Sequence, residues 1–304
     1  MAVRAFVTGG HGFVGRWLTA HLEASGDVVV APDLSLDVRD GAALRGAVAE
    51  ARPDAIYHLA ALSHVGESWA APEETFLVNA LGTLHVIEAA RSLTTGPRVL
   101  LVCSAEVYGV VQPDQLPLTE DTPLRPVTPY AVSKVAAEYL GIQAHLAHGL
   151  PVIRARAFNH VGPGQAATFV VSSLARQIAL AERDGGSELR VGNLTPRRDF
   201  TDVRDVARAY RLLIDRGEPG EVYNVCSGQD VAIEELARRM LVRAGLDLKV
   251  TIDTELVRPV EIPVLRGDPR RLHAATGWAP QIGLDETLES VVDYWRLELA
   301  RSPA

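Results

Sequence analysis

The N-terminal segment joins a short apolar strand, a glycine-rich turn and a helix, and this order constrains the fold more than any other feature of the sequence. The apolar run 3–8 predicts a buried strand, and residues 13–24 predict a helix. The glycines between them follow the spacing GxxGxxG, which permits a tight turn and lets the backbone approach a pyrophosphate at the helix N-terminus. The segment therefore predicts a dinucleotide site. Its expected contact residues are Gly9, Gly12, Phe13, Val14 and Gly15.

Strands and helices continue to alternate after this turn. Further strands are predicted at 27–31, 55–59, 98–103, 151–157 and 221–226, with helices at 42–51, 73–91, 130–148 and 202–215. Strands separated by helices imply right-handed crossovers, so the expected fold is α/β, a Rossmann-type doubly wound parallel sheet with a smaller α/β substrate-binding region. Residues 161–196 interrupt the alternation. We therefore expect a dinucleotide-binding domain over 1–160 plus about 197–228, and a substrate region over about 161–196 plus 229–304.

Composition and charge limit the possible partners. The 304 residues are 47% hydrophobic and 22% charged, which is typical of a globular enzyme. The net charge of −8 disfavours nucleic acid and acidic membranes, so local arginines must meet any anionic ligand. The sequence shows no zinc-type spacing, signal peptide or membrane-length apolar run, and Cys103 and Cys226 lie in apolar, strand-like runs. We expect a cytoplasmic protein with two buried thiols and no bound metal.

Acidic residues after the second predicted strand bear on the choice of cofactor. Asp33 lies where a carboxylate would accept hydrogen bonds from the adenosine ribose, and no arginine stands beside it to receive a 2′-phosphate. This pattern favours NAD(H) among the NAD(P)(H) cofactors. If the strand ends at Pro32, Asp33 comes one residue late and is a loop carboxylate instead. Asp37 and Val38 begin a strand-like piece in which Asp37 is placed to accept the adenine amino group.

A tyrosine and a lysine four residues apart supply the candidate catalytic pair. Tyr130 and Lys134 stand in PYAVSK, and this spacing places both side chains on one helical face. The ammonium is expected to lower the pKa of the tyrosine, which would exchange a proton with a carbinol oxygen during hydride transfer. Ser104 ends a predicted strand, where its hydroxyl faces the same site. The order of glycine-rich turn, strand-end serine and YxxxK disfavours the alternative, a surface pair beside an unrelated serine.

Together these motifs resemble the extended short-chain dehydrogenase/reductase family of sugar-nucleotide epimerases and dehydratases. The similar phrases include TGGHGFVG, YHLAALSHVGES, CSAEVYG, PYAVSK, FNHVGPGQ and RRDFTDVRDVARAY, and they span essentially the whole chain. The resemblance implies cofactor contacts at Leu59, Ala60, Ala61 and Phe158, and also at Tyr130 and Lys134, with Lys134 on the nicotinamide ribose. It implies sugar contacts at Ser63 and Asn159. It also places Asn79 near the active-site helix, although simple helix packing explains an asparagine there equally well.

Within this family, Glu106 is the most informative residue. A carboxylate at this position resembles the base of the GDP-mannose 4,6-dehydratases, and the related GDP-4-keto-6-deoxy-mannose reductases are similar here. Deoxythymidine-linked glucose dehydratases carry an Asp–Glu pair, whereas Ala105 stands in place of that aspartate. The phrases FNHVGPGQ, FVVSS and RPVEIPVL and the short chain resemble the reductases. In a reductase Glu106 would hydrogen-bond the sugar; the alternative is a surface charge at a strand end.

The resemblance therefore implies NAD(P)H-dependent reduction of the C4 ketone of GDP-4-dehydro-6-deoxy-D-mannose to GDP-D-rhamnose. GDP-mannose 4,6-dehydratase is the alternative function. A nucleotide-sugar 4-epimerase and a non-catalytic NAD(P)-binding regulator are further alternatives. The family also tends to pair through the YxxxK helix and the helix before it, so a homodimer is expected.

The resemblance also assigns residues to the nucleotide diphosphate. Arg198 of RRDF and Arg258 of RPVE would bind the diphosphate, because a planar guanidinium binds two phosphate oxygens at once. Glu261 would accept hydrogen bonds from the ribose hydroxyls. A solvated surface charge is the alternative for each arginine, and Arg190 and Arg197 fit both interpretations equally.

Overall fold

The computed structural model of the chain describes residues 2–33, 35–254 and 260–301. Its helices are α1 (Phe13–Ala24), α2 (Gly41–Ala51), α3 (Glu67–Ala70), α4 (Pro72–Phe76), α5 (Gly82–Arg91), α6 (Pro129–His148), α7 (Val170–Asp184), α8 (Val203–Arg216), α9 (Ile233–Ala244), α10 (Arg270–Thr276) and α11 (Leu284–Arg301). Its strands are β1 (Arg4–Thr8), β2 (Val28–Val30), β3 (Ala55–His58), β4 (Arg98–Ser104), β5 (Val152–Ala157), β6 (Asn159–Val161), β7 (Glu188–Val191), β8 (Arg197–Asp202), β9 (Val222–Val225), β10 (Asp230–Ala232), β11 (Lys249–Ile252) and β12 (Val264–Leu265).

Six parallel strands form the main sheet in the order β2–β1–β3–β4–β5–β9. The chain passes from β1 to β2 on one side and returns to β3 on the other, so the strand order reverses between β1 and β3. Thr8 and His58, the last residues of these two strands, are register partners. In such sheets ligands bind beyond the carboxyl ends of the strands, at this reversal.

Neighbouring residues of the central strands face opposite layers of helices. Val7 and Leu100 pack with α1 and α8, whereas Phe6 and Leu101 pack with α2 and α5. Because successive side chains of a strand point to opposite faces, each strand contributes to two cores. The sheet is covered by helices on both faces, and the predicted Rossmann-type, doubly wound fold is confirmed.

A second, smaller sheet forms from later parts of the chain. Strand β8 pairs antiparallel with β10 and parallel with β12 and β6, while β7 and β11 form a separate parallel pair. Helices α7, α9 and α11 bury their apolar residues against these strands. Strand β8 therefore belongs to the smaller sheet, although the sequence groups residues 197–202 with the dinucleotide half.

Three local predictions differ from the structure. The segment 161–196 contains a full helix and a strand, α7 and β7, where the sequence suggests only an interruption. A π-helical turn, Leu77–Leu81, divides the helix predicted over 73–91. The strand-like piece at Asp37 is a turn, because the Asp37 carboxylate accepts the Arg39 N–H and Asp40 caps α2.

Three further expectations concern the chain as a whole. Cys103 and Cys226 are buried free thiols, as predicted. Within the described ranges no helix has both the length and the apolar character that a membrane crossing requires. The same ranges hold no group of three or more His, Cys, Asp or Glu side chains arranged to bind a metal ion.

Candidate active site

A cleft of about 290 Å³ opens where β1, β3, β4 and β5 end. The glycine-rich turn, the YxxxK pair and the strand-end serine all reach it, although they lie far apart in the sequence. Of the residues predicted from sequence, the cleft is lined by Gly9, Gly12, Phe13, Val14, Gly15, Leu59, Ala61, Ser63, Ser104, Glu106, Tyr130, Lys134, Phe158 and Asn159. The fold therefore gathers these motifs at the sheet edge where ligands bind in this architecture.

The glycine-rich turn forms a cradle that requires glycine at positions 9 and 15. Gly9 has a φ of +70°, in the left-handed region, and a Cβ there would lie 2.7 Å from the backbone nitrogen of Ala60. A Cβ on Gly15 would lie 2.1 Å from the Gly9 carbonyl oxygen. Gly12 precedes α1 and has no side chain to cap it, so the first-turn N–H groups are left for an anionic ligand. The cradle fits the pyrophosphate of a dinucleotide.

A second cavity of about 180 Å³ adjoins this turn. Its lining residues are Thr8, Gly9, His11, Pro32, Asp33, Leu36, Asp37, Val38 and Ala60. The exposed Asp33 carboxylate accepts the Ser35 N–H at 2.9 Å, and hydrogen bonds from Ser35 lower the pKa of Asp33. The cavity therefore presents an ionised carboxylate at neutral pH.

Asp37, the predicted acceptor for the adenine amino group, has an arginine partner. Both of its carboxylate oxygens accept hydrogen bonds from the Arg39 guanidinium, which also donates to Glu74 at 2.6 Å. These bonds lower the pKa of Asp37. The Arg39 guanidinium is thus paired with the carboxylates of both Asp37 and Glu74, which was not predicted from sequence.

Local capping fixes where α6 begins and how its catalytic pair is presented. The hydroxyl of Thr128 accepts the Ala131 N–H at 3.0 Å, and Pro129 occupies the first turn, where its missing N–H has no helical partner in any case. The Tyr130 N–H donates to the hydroxyl of Ser68 on α3 at 3.2 Å. The start of α6 is thereby anchored to α3.

Burial dominates the proton equilibria of the catalytic pair. It raises the pKa of Tyr130 above the usual value, with a hydrogen bond from Ser104 acting in the opposite direction. Burial lowers the pKa of Lys134 to about 8. The Lys134 ammonium donates to the Val102 carbonyl at 2.9 Å and lies 5.9 Å from the Tyr130 ring centroid. Burial therefore outweighs the expected lowering of the tyrosine pKa by the lysine, and the phenol keeps its proton at neutral pH.

Ser104 and Glu106 are held on one tight turn. The Ser104 hydroxyl accepts the Glu106 N–H at 3.2 Å and caps the 3₁₀ turn Ala105–Tyr108 directly after β4. Glu106 is half-buried, and its negative charge contributes to the raised pKa of Tyr130. The carboxylate is therefore close enough to act on the same ligand as the phenol.

The π-helical turn carries Asn79, which connects the cleft wall to the catalytic helix. The Asn79 amide donates to the Ser133 hydroxyl of α6 at 2.9 Å and exchanges hydrogen bonds with the backbone of Leu62 at 2.8 and 3.0 Å. Asn79 thus lies at the active-site helix, as predicted, and it fixes the loop that carries Ser63. Such π-helical turns are frequent at functional sites.

Arg198, one of the two predicted diphosphate residues, does not line either cavity. Arg198 is 5% exposed, and its guanidinium donates to Glu261 at 2.9 Å and to the Ile262 carbonyl at 2.7 Å. Arg198 is on the same face of β8 as Phe200, which lines the cleft, because the two are separated by one residue. Arg258 lies outside the described residues.

Arg190 and Arg197 stand at the surface. Arg197 pairs with Asp230, and Arg190, whose side chain is 70% exposed, approaches Asp253 at 3.8 Å. Neither arginine lines the two cavities described above.

Sequence reasoning missed several residues of the cleft wall, which include His64, His160, Phe169 and Phe200. His160 stacks on Phe13 with ring centroids 6.2 Å apart, and burial lowers its pKa to about 4. Its Nδ1–H donates to the Phe158 carbonyl at 3.2 Å, so the neutral ring keeps Nε2 as an acceptor. His64 and Phe169 make an edge contact at 5.6 Å. His160 directly follows Phe158 and Asn159, so its position in the cleft could have been predicted from sequence. The contact between His64 and Phe169 could not, because it depends on the tertiary fold.

A family model described as GDP-mannose 4,6 dehydratase matches residues 31–291. The chain belongs to the GDP-mannose 4,6-dehydratase family. The match covers most of the chain and confirms the resemblance to the sugar-nucleotide branch of the extended short-chain dehydrogenases/reductases.

Relatives and solved structures extend this similarity over nearly the full length. The chain is 39% identical to the GDP-6-deoxy-D-mannose reductase of Pseudomonas aeruginosa, over 97% of this chain and 98% of the relative. It is similar to the structure of RMD from Pseudomonas aeruginosa complexed with NADPH (TM-score 0.89, 39% identity, 97% and 99% of the two chains). It is also similar to the structure of a Thermus thermophilus UDP-glucose 4-epimerase in complex with NAD (TM-score 0.85, 29% identity, 96% and 98%). The chain is an enzyme of the NAD(P)-dependent sugar-nucleotide class.

Proposed function

We propose that this enzyme reduces the C4 ketone of GDP-4-dehydro-6-deoxy-D-mannose to GDP-D-rhamnose. The observation that carries the proposal is the similarity to the Pseudomonas aeruginosa GDP-6-deoxy-D-mannose reductase over 97% of this chain and 98% of the relative. The site supports the direction of reaction. A reduction needs a proton donor for the new hydroxyl, and burial keeps the Tyr130 phenol protonated.

Each catalytic residue of the cleft has a separate role in this reduction. A reduced nicotinamide dinucleotide supplies the hydride when bound. Tyr130 donates its phenolic proton to the oxygen that develops charge at C4, and the Ser104 hydroxyl hydrogen-bonds the same oxygen and orients it. The Lys134 ammonium, held at the Val102 carbonyl, stabilises the tyrosinate that remains. Glu106 hydrogen-bonds the sugar without a required proton transfer.

The remaining ligand contacts follow the two cavities and the smaller sheet. We propose that the glycine cradle, Leu59–Ala61 and Phe158 hold the dinucleotide, with Val38 against the adenine and Ser63 and Asn159 on the sugar. Arg198 and Arg258 would bind the diphosphate, and Glu261 the ribose hydroxyls. The Arg198–Glu261 hydrogen bond supports this by placing the two side chains together. We further propose a dinucleotide portion of 1–160 plus about 197–228, supported by β9 in the main sheet, although β8 lies in the smaller one.

The decisive assay follows the absorbance of the reduced nicotinamide. The enzyme is given GDP-4-dehydro-6-deoxy-D-mannose with NADH and with NADPH in parallel. We expect loss of the reduced-nicotinamide band and formation of the rhamnose product. If the band persists while GDP-mannose is converted to its 4-keto product, the enzyme is a dehydratase and the proposed function is wrong.

The second candidate function is the 4,6-dehydratase, and the half-buried Glu106 carboxylate near Tyr130 is the observation that favours it. Substitution of Glu106 distinguishes the two functions. A dehydratase needs this carboxylate as a base, so Glu106→Gln should cost it about 10²-fold or more in kcat. In a reductase the amide still hydrogen-bonds the sugar, and we expect most of the rate to remain. Glu50→Gln on the exposed face of α2 is the matched control. Near-complete loss of ketone reduction in Glu106→Gln alone would contradict the assigned role.

We propose that the enzyme uses NADH in preference to NADPH, because the ionised Asp33 carboxylate in the second cavity would repel a 2′-phosphate. Asp33→Asn removes the negative charge while keeping the shape. We expect the ratio of kcat/KM for NADPH to that for NADH to rise about tenfold. Asp114→Asn, at another exposed carboxylate, should leave the ratio unchanged. An unchanged ratio in Asp33→Asn would show that this carboxylate does not select the cofactor.

We also propose a cytoplasmic homodimer. Val132, Tyr139 and Leu146 lie at intervals of seven on α6 and are 45%, 57% and 78% exposed. Phe76 and Trp69 on the neighbouring short helices are 46% and 39% exposed. Exposed apolar side chains on adjacent helices favour an interface between two copies. Sedimentation equilibrium distinguishes this dimer from a monomer.

A further inference from the structure

Outside the cleft, one buried arginine connects two elements of the catalytic apparatus. Arg156 projects from β5 and is 5% exposed. Its Nε and Nη2 donate to the two oxygens of Glu138 at 3.0 and 2.6 Å. Its Nη1 donates to the Tyr108 hydroxyl and to the Glu120 carbonyl, both at 2.9 Å. One rigid guanidinium therefore holds a side chain of α6 and a side chain of the 3₁₀ turn.

The first of these contacts clamps the catalytic helix. Glu138 is fully buried and stands one helical turn after Lys134 and two turns after Tyr130. A second arginine, Arg154, also donates to Glu138, at 3.0 Å. Two arginines from β5 thus fix both the depth and the rotation of α6 against the sheet.

The second contact clamps the turn that carries Ser104 and Glu106. Tyr108 ends this turn, and its ring lies 5.0 Å from the Arg156 guanidinium carbon. The Tyr108 hydroxyl also donates to the side-chain oxygen of Asn224, which is fully buried on β9, at 2.7 Å. The hydroxyl therefore both accepts and donates within the protein, and the end of the turn is tied to two strands.

We propose that Arg156 and Tyr108 are positioning residues that set the separation between the Tyr130 phenol and the Ser104–Glu106 turn. The proposal rests on the proposed function, in which these groups act on one sugar oxygen. A planar fork fixes direction as well as distance, which a lysine at this place would not do. Well-packed apolar residues of similar volume stabilise a protein as well as a buried ion cluster does, so stability alone does not require this cluster.

The test removes the Tyr108 hydroxyl and compares this variant with one that loses a tyrosyl hydroxyl at another site. Tyr108→Phe deletes the link from the turn to Arg156 and Asn224 while the ring keeps its place on the guanidinium. Tyr223→Phe is the control, because it also deletes a tyrosyl hydroxyl, one that accepts the Glu218 N–H at 2.9 Å. Tyr223 neighbours Asn224 on β9, but it packs in the core on the opposite face of the sheet.

Two readouts separate positioning from general stability. In Tyr108→Phe we expect kcat to fall about 10²-fold, with KM and dinucleotide affinity close to wild type, because a misplacement of about 1 Å has an effect of this size. Amide hydrogen exchange over residues 104–109 should become faster in Tyr108→Phe and not in Tyr223→Phe.

The outcomes are distinguishable. Equal kcat in the two variants, or unchanged exchange over residues 104–109, would overturn the positioning role. Failure of the unmodified enzyme to reduce the keto sugar would defeat the proposed function alone, because the exchange comparison needs no substrate.

Discussion

Replacing Tyr130 by phenylalanine is expected to lower kcat for ketone reduction about 10²- to 10⁴-fold, the range that a lost general acid costs. The variant loses only the phenolic oxygen, which is buried and protonated at neutral pH. The ring, the capped start of α6 and the glycine cradle all remain. Binding of the dinucleotide should therefore change little.

Stopped-flow measurement of kcat and a fluorescence titration with the dinucleotide check this expectation. Tyr223→Phe is the matched control, since it also deletes one tyrosyl hydroxyl and Tyr223 does not line the cleft. A Tyr130→Phe enzyme that keeps appreciable turnover would refute the role of Tyr130 as proton donor. A large loss of dinucleotide affinity would show instead that the phenol serves binding.

Replacing Lys134 by methionine is expected to abolish most activity and yet stabilise the fold at pH 7. Removal of one preorganised charge from an active site lowers kcat by about 10²- to 10³-fold. Burial lowers the pKa of Lys134 from 10.5 to about 8, a shift that corresponds to about 3 kcal/mol of unfolding free energy. The loss of the hydrogen bond to the Val102 carbonyl opposes this gain by about 1 kcal/mol.

The pH dependence of this stabilisation gives a stringent check. Below pH 8 the folded protein holds a charged, buried ammonium, and the full cost is present. As pH rises from about 8 to 10.5 the folded protein loses this proton before the unfolded chain does, so the cost disappears. The advantage of Lys134→Met in urea unfolding should therefore be largest at pH 7 and shrink toward pH 10.

Lys249, the other lysine of the sequence, provides the control. It is exposed on β11, so Lys249→Met should change neither activity nor stability. A Lys134→Met protein that is less stable than wild type at pH 7 would contradict the dominance of burial over the hydrogen bond to Val102.

The local motifs could be predicted from sequence because their geometry is set by neighbours in the chain. The glycine spacing at Gly9 and Gly15 requires a close backbone approach within one turn, and YxxxK requires only a helix. The alternation of strands and helices likewise predicted a parallel sheet, and a parallel sheet brings strand-end residues such as Ser104 to one edge. The fold class, and the meeting of the glycine-rich turn, Ser104 and the YxxxK pair in one cleft, followed from these local rules.

Long-range pairing and burial could not be predicted in this way. Arg198 resembles a phosphate ligand in sequence, but its contact with Glu261 depends on a partner distant in the chain. The same is true of the link from Tyr108 to Asn224, and of the division of β8 from the main sheet.

The sequence by itself determined which chemical groups this protein brings to its site and the order of the elements that carry them. Tertiary structure alone decided the proton affinities of those groups. The spacing of Tyr130 and Lys134 suggested a lowered tyrosine pKa, whereas burial raises the tyrosine pKa and lowers that of the lysine. The physical reason is that spacing sets distance along one helix, while desolvation depends on every element packed around the pair.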